Sequence, residues 1–338
     1  MRFVRPAAAL AGLALLLTGC GQVAPTTTSD PAASGDAPAP QDTTKVSIAM
    51  EAWLGYGAWY IAEDQGYFAA NGIEADLPMF DSDADMVAAF VSGQVQAMNV
   101  ASHTALKMME DGVDMKVVLL EDASTSADAI IATGDVKTVA DLKGKKVAYE
   151  EGATSDLLLN YALAQNGMTI ADIEKMPMNA SDAGTALIAG QVPAAVTYEP
   201  YITAAQGAGS VNIVYEAGAK PGLISDVLAV RSDFIASNPA AVTALVKSWG
   251  QAVDYYNSNT ENARAIISKG LGESPEDLAT AFDGVQYFDL AENKAQLTGE
   301  FLKTTYPDLQ QAAVAANLIQ GTVSPAEAVD LTAINAAG

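Results

Sequence analysis

Ala89-Phe90-Val91-Ser92-Gly93-Gln94-Val95-Gln96-Ala97 and Ala186-Leu187-Ile188-Ala189-Gly190-Gln191-Val192-Pro193-Ala194 are two versions of one phrase, set nearly a hundred residues apart. Each reads as a helix that stops at glycine before the chain enters a strand, because glycine accepts the left-handed backbone that ends a helix. Upstream the match continues in kind. Lys45 to Met50 and Lys145 to Tyr149 are short alternating strands, each followed by a glycine-bearing loop and an amphipathic helix, about Ala58 to Asn71 and Ser155 to Asn166. Those helices stop at Asn71-Gly72 and Asn166-Gly167, and new strands are expected near Ile73 to Met79 and Ile173 to Met178. Strand, helix, strand, helix, strand is the pattern of a parallel, wound sheet with helices on both faces. Two such units predict an α/β fold of two similar lobes.

In open α/β sheets ligands sit beyond the carboxyl ends of the strands. That rule selects four loops: Glu51 to Tyr56 and Ala101 to Thr104 in the first unit, Glu150 to Ser155 and Tyr198 to Tyr201 in the second. If the lobes face each other, these loops line one cleft. The chain is expected to cross between lobes near Ser126 to Ile131 and to return near Ile224 to Val230. This puts 45–129 plus 229–338 in lobe 1 and 130–228 in lobe 2. Beyond Asn238-Pro239, a helix start with proline in the first turn, helices are expected at Ala240 to Asn257, Thr260 to Lys269 and Pro275 to Phe282, packed on lobe 1.

The 338-residue chain has one cysteine, Cys20. Arg2 and Arg5 precede an apolar run from Ala7 to Leu17, too short for a membrane-spanning helix, which needs about 20 residues. Residues 1–19 therefore read as a secretory signal, and Leu17-Thr18-Gly19-Cys20 resembles the bacterial lipobox, in which the cysteine is lipidated. A free thiol in an ordinary secreted protein is the alternative. Residues 20–44 hold Pro, Thr, Ser, Ala and Asp with no large apolar side chain, the composition of a disordered tether. Its coil dimension is about 27 Å. Removing Arg2 and Arg5 with the signal leaves 15 basic and 41 acidic residues, a net charge of −26. That balance excludes nucleic acid as a partner.

At the selected loops a family resemblance becomes specific. Trp53-Leu54-Gly55-Tyr56-Gly57-Ala58-Trp59-Tyr60-Ile61-Ala62, then Gly66-Tyr67-Phe68 and Asn71-Gly72-Ile73, resemble the first motif of the periplasmic-type substrate-binding proteins of nitrate, sulfonate, taurine and thiamine-precursor importers. Asp141-Leu142-Lys143-Gly144-Lys145-Lys146-Val147, Tyr198-Glu199-Pro200-Tyr201 and Asp226-Val227-Leu228-Ala229-Val230-Arg231 resemble their later motifs, in the same order. The resemblance spans about 45 to 290. It implies a type II periplasmic-binding-protein fold, each lobe a wound mixed sheet, and a monomeric receptor that delivers a small solute to an ABC permease and its ATPase. With the lipobox it places the protein on the extracytoplasmic face of the cell membrane, held by its lipid. It implies no cofactor and no catalysis.

Trp53 and Tyr56 sit on a glycine-flanked loop, suited to stacking on a ligand, though core aromatics at a lobe edge would look the same. Thr154 and Ser155 are candidate N-caps of the helix 156–166, and the free N–H groups at such a cap can hold an anionic or polar group. Ser102 and Thr104 begin a comparable helix in the other lobe. His103 is the sole histidine, and a lone histidine is more often a cap or edge residue than a ligand. Tyr198 joins the candidates through its loop. Glu199 and Asp226 either brace the hinge by bonding backbone or recognise an ammonium or ring N–H.

The absences carry weight. No Lys or Arg occurs from Glu51 to Leu106, and only Lys175 occurs from Val147 to Ala219, while Glu51, Glu150, Glu151, Glu199 and Asp226 crowd the four loops. Such a cleft favours a zwitterionic, amine-bearing or neutral polar solute over nitrate or a dianion, with aromatics adding cation–π contact. Asp81-Ser82-Asp83-Ala84-Asp85 alternates carboxylates as a calcium loop does. Met86 and Ser92 stand where that loop needs Gly and Glu, so Asp83 reads as a helix cap. One histidine and one cysteine supply no zinc or iron site. The competing readings are an enzyme on the same scaffold acting on a small heterocycle, and a sensory lipoprotein. The cysteine-rich motif of pyrimidine-precursor synthases and a Gly-x-Ser-x-Gly elbow are both missing.

Overall fold

The computed structural model describes residues 43–338. The expected signal, Cys20 and the tether as far as Asp42 lie outside them. The repeat declares itself first in strand register. Lobe 1 contains β1 (Thr44–Ala49), β2 (Ile73–Asp76), β3 (Ala97–Ala101) and β4 (Met115–Ser124). Lobe 2 contains β5 (Asp128–Ala132), β6 (Lys146–Tyr149), β7 (Glu174–Pro177), β8 (Ala194–Tyr198) and β9 (Asn212–Glu216). The chain then returns to lobe 1 as β10 (Ser225–Arg231) and β11 (Val285–Tyr287). The sheets run β11-β4-β10-β3-β1-β2 and β7-β6-β8-β5-β9. Ile48 pairs with Ala97 in the first and Val147 with Ala194 in the second, so Glu51, just past β1, and Glu150, just past β6, are equivalent positions.

Three strands of each sheet are parallel, as the alternation predicts. The fourth place in each is taken by an antiparallel strand from the chain crossing, β10 beside β3 and β5 beside β8, which makes both sheets mixed. Every residue of β3 and β5 is buried, the condition of strands covered on both faces. The glycines that end the repeated helices do adopt positive φ, 80° at Gly93 and 69° at Gly190.

Three expectations change. The helix drawn from Ala58 to Asn71 is two, Gly57–Asp64 and Tyr67–Ala70, because Gly66 turns left-handed between them. Residues 275–280 form turns instead of a helix and lead through a short 3-10 segment, Ala281–Gly284, into the unforeseen β11. Asp83 does not cap its helix. Ser82 does, accepting the Asp85 N–H, and Asp83 is the first helical residue.

The C-terminal helices do pack on lobe 1. Helix Pro239–Ser258 lays Trp249 against Trp59, ring centroids 5.0 Å apart, both fully buried. Helix Tyr306–Ala315 also reaches lobe 2, where Asp308 pairs with Lys220 at 2.6 Å. That bridge lines a groove with Ser124, Ser225 and Phe301. Because successive strand residues face opposite ways, Ser225 looks into this rear groove while Asp226 looks into the cleft.

Candidate functional site

The strand ends aim four loops at one cavity, partly open to solvent. Five carboxylates line it: Glu51, Asp83, Asp128, Glu150 and Asp226. Trp53, Tyr56 and Tyr198 supply its aromatic wall, and Thr154, Ser155 and Thr197 its hydroxyls. No Lys or Arg lines it. The nearest candidate by sequence, Lys175, is tied to Glu151 outside the cavity at 2.5 Å.

Trp53 follows a tight turn, with its N–H donating to the Glu51 carbonyl at 2.8 Å, and begins the 3-10 turn Leu54–Tyr56. Its ring meets Tyr198 of the other lobe edge-on, centroids 5.7 Å apart, and Tyr198 in turn meets Tyr201 at 5.3 Å. The indole N–H lies beside the carboxyls of Asp122 and Asp226 and favours their charged forms, yet closes a geometric hydrogen bond with neither. A Cβ at Gly55 would stand 2.2 Å from both Asp122 Oδ2 and Trp53 Nε1, so any larger residue there displaces one of them.

Electrostatics follow from crowding. Burial raises the pKa of Glu51, and the Asp83 and Glu150 charges raise it further. Burial, then Glu150, lifts Asp83 to about 7 against the opposing Thr104 hydroxyl. Burial takes Asp128 to about 7 as well. Asp226 is pushed up by burial, then by Asp122 and Asp128. Behind this layer Glu121 accepts from the Trp59 indole at 2.8 Å, and its burial also raises its pKa. A cluster of carboxyls without a side-chain cation must take its counter-charge from protons or from a ligand.

Of the residues singled out in the sequence, Trp53, Tyr56, Thr154, Ser155, Tyr198 and Asp226 line the cavity. Thr154 and Ser155 are not caps: Ala153 is the N-cap residue, and Ser155 Oγ accepts the Glu150 N–H while donating to the Glu150 carbonyl. The first turn of that twelve-residue helix opens onto the cavity through Ala153 and Thr154. Ser102, His103 and Glu199 are buried but off the wall. Ser102 shares a hydrogen bond with Ser225, and Glu199 accepts from the Thr203 N–H and hydroxyl at the start of its own helix. His103 is held neutral by burial, its pKa near 4, against the Ala153 backbone of lobe 2. Asp122, Asp128 and Glu121 were missed. Their signal was present, carboxylates set into apolar strand sequence at Leu119-Leu120-Glu121-Asp122 and Ala127-Asp128-Ala129-Ile130.

The lobes meet at the front of the cleft, where Asn179 of lobe 2 donates to the Asp81 carbonyl of lobe 1 at 3.2 Å. Two wound lobes joined by crossing strands, with a polar cavity between their strand ends, are the architecture of the periplasmic-binding-protein fold. The profile of the NMT1/THI5-like family matches residues 55–263, and the chain belongs to that family.

A putative binding protein of Brucella abortus (strain 2308) is 28% identical over 245 residues, 72% of this chain and 73% of its own length. The taurine-binding periplasmic protein of Escherichia coli (strain K12) is 28% identical over 243 residues, 70% of this chain and 76% of its own. The crystal structure of the periplasmic aliphatic sulphonate binding protein SsuA from Escherichia coli superposes with a TM-score of 0.69 at 19% identity. It covers 85% of this chain and 97% of that one. At that identity the likeness shows the fold alone.

Proposed function

We propose that the protein is an extracytoplasmic receptor that captures a small polar organic solute bearing at least one amine and delivers it to an ABC importer. The observation that carries this reading is a cavity walled by five carboxylates and three aromatic rings with no basic side chain. An ammonium finds charge there in the acids and a π face in Trp53 or Tyr198. The taurine of the Escherichia coli relative is itself amine-bearing. Any acidic end of a zwitterion would sit at the helix N-terminus around Thr154, where the dipole favours negative charge.

Capture proceeds by lobe closure, with both lobes contributing contacts and the crossing strands absorbing the rotation. The closed form then docks on the permease, and lipid on Cys20 keeps the receptor at the membrane. A thermal-shift screen across taurine, alkanesulfonates, nitrate, aminopyrimidines and betaines tests the ligand class. Stabilisation by amine-bearing members is the expected result. Tight binding of nitrate with indifference to amines overturns it. Radiolabelled palmitate incorporation, lost in Cys20→Ala, tests the anchor.

A further inference from the structure

The two lobes share one sheet plan. The order β2-β1-β3-β10-β4 in lobe 1 corresponds to β7-β6-β8-β5-β9 in lobe 2, with the antiparallel crossing strand fourth in each. Met50 pairs with Met79 and its carbonyl accepts the Phe80 N–H at 2.8 Å, just as Tyr149 pairs with Pro177 and its carbonyl accepts the Met178 N–H at 3.0 Å. Counted from those pairs, Asp81 and Asn179 hold the same place in the two lobes. They also touch, Asn179 donating to the Asp81 carbonyl at 3.2 Å. The matched acids Glu51 and Glu150 likewise face one cavity. A residue that meets its own counterpart lies close to the axis relating the two units. An approximate two-fold axis therefore leaves the cavity at the front of the cleft, between the two helices that follow Asp81 and Asn179.

Those helices, Asp83–Val91 and Ala180–Ile188, present the same stripe to solvent. Positions three apart fall on one helix face. They are Asp85, Ala88 and Val91 on the first helix and Asp182, Thr185 and Ile188 on the second, all exposed. Aligned by the repeated phrase, Val91 matches Ile188 and Asp85 matches Asp182. Val91 is 51% and Ile188 42% exposed, whereas their neighbours Phe90 and Leu187 are buried. One exposed aliphatic side chain is ordinary on a protein surface. A branched aliphatic and an acid repeated at matched positions on either side of an axis make a surface with two like halves. Arg231 donates to the Phe90 carbonyl at the far end of the first stripe, but Asp233 neutralises it at 2.9 Å.

Resting on the importer reading above, we propose that this face docks on a partner built of two identical subunits, one helix stripe to each. A two-fold partner offers the same site twice, and a receptor whose lobes repeat fills both with like contacts. Each site holds an apolar recess for Val91 or Ile188 beside a basic side chain for Asp85 or Asp182, since complementary charge steers encounter and fixes register. Docking on a shared axis sets the mouth of the cleft over the junction of the two subunits, so that released solute passes between them. A second copy of this chain would set acid against acid and is disfavoured on charge.

Photo-crosslinking of the full-length protein in its own cells tests this. p-Benzoylphenylalanine is substituted for Val91, for Ile188 or, as an off-axis control, for the exposed Val314 on the helix Tyr306–Ala315, and the ultraviolet adducts are identified by mass spectrometry. The probes at Val91 and Ile188 are expected to capture the same polypeptide through the same segment, and the control is expected not to capture it. Asp182→Lys, first shown by thermal unfolding to be folded, is expected to cut the adduct from the Ile188 probe by about fivefold or more. An undiminished adduct overturns the acid's part in the contact. Two different polypeptides, unrelated segments of one, an adduct from one probe alone or from neither, or capture of a second copy of the receptor each overturns the two-fold surface and leaves solute capture standing. One polypeptide captured alike by both probes but lacking membrane-spanning segments keeps the surface and overturns the importer reading.

Discussion

Asp226 stands directly opposite Asp122 in the antiparallel pairing of β10 with β4, both side chains buried and neither Asp122 oxygen meeting a donor. Like charges directly opposite each other in a ladder repel, and burial denies them water. The pair therefore holds its protons well above the usual carboxylate range. Such a pair at a chain crossing is a standing demand for positive charge, and it explains why the cleft floor is unstable in its fully ionised form.

Replacing one member removes that demand. Asp122→Asn is expected to raise the Tm of the ligand-free protein at pH 8 by roughly 2–4 °C, the scale of about 1 kcal/mol in a domain of this size. The rise should shrink as pH falls and the pair takes up protons. Differential scanning calorimetry from pH 8 down to pH 5 checks both halves.

The same chemistry sets a pH dependence for the whole cleft. Asp83 and Asp128 have folded-state pKa values of about 7, raised from 3.8. A carboxyl with a raised folded pKa binds more protons folded than unfolded, so its contribution to stability is full below about pH 4 and is lost as pH rises through 7. The ligand-free protein should thus melt higher at pH 5.5 than at pH 8. A bound cation should shrink the difference, and its affinity should fall as pH drops below 7.

Trp53→Ala is expected to weaken binding of the tightest solute by at least about tenfold, since the ring closes the wall against Tyr198 and the π contact is worth on the order of 1–2 kcal/mol. Circular dichroism should show the fold retained. Unchanged affinity in the folded variant would place the ligand elsewhere.

Gly55→Ala tests the packing behind that ring. Its Cβ would enter space held by Asp122 Oδ2 and Trp53 Nε1, so the indole or the carboxyl must move. A destabilisation of about 1–3 kcal/mol is expected in chemical denaturation, together with loss of ligand affinity.

The repeated phrase made the parallel halves of both sheets, their helix ends and the four facing loops legible, because a local periodicity and a glycine stop specify each of them. Glu51 and Glu150 were visible as matched acids for the same reason. Tertiary placement decided the rest. Ser102, His103 and Glu199 stand on the right loops, yet helix starts and strand alternation turn them away from the cavity. Asp122 and Asp128 hid inside strands whose neighbours are apolar, where only pairing with the return strands brings them beside the cleft. Residues 275–280 have helical composition but lead into β11, whose Tyr287 donates to the Leu54 carbonyl at 2.6 Å. That anchoring needs a partner more than two hundred residues away.

The bridge between Lys220 and Asp308 lies behind the hinge, while Asn179 and Asp81 meet in front of it. In the proposed closure about the crossing strands, these two ends travel in opposite senses. A distance probe spanning the rear should lengthen as one spanning the front shortens. Paired labels at the two ends would read the swing of the lobes as a signed angle and tell true rotation from uniform breathing.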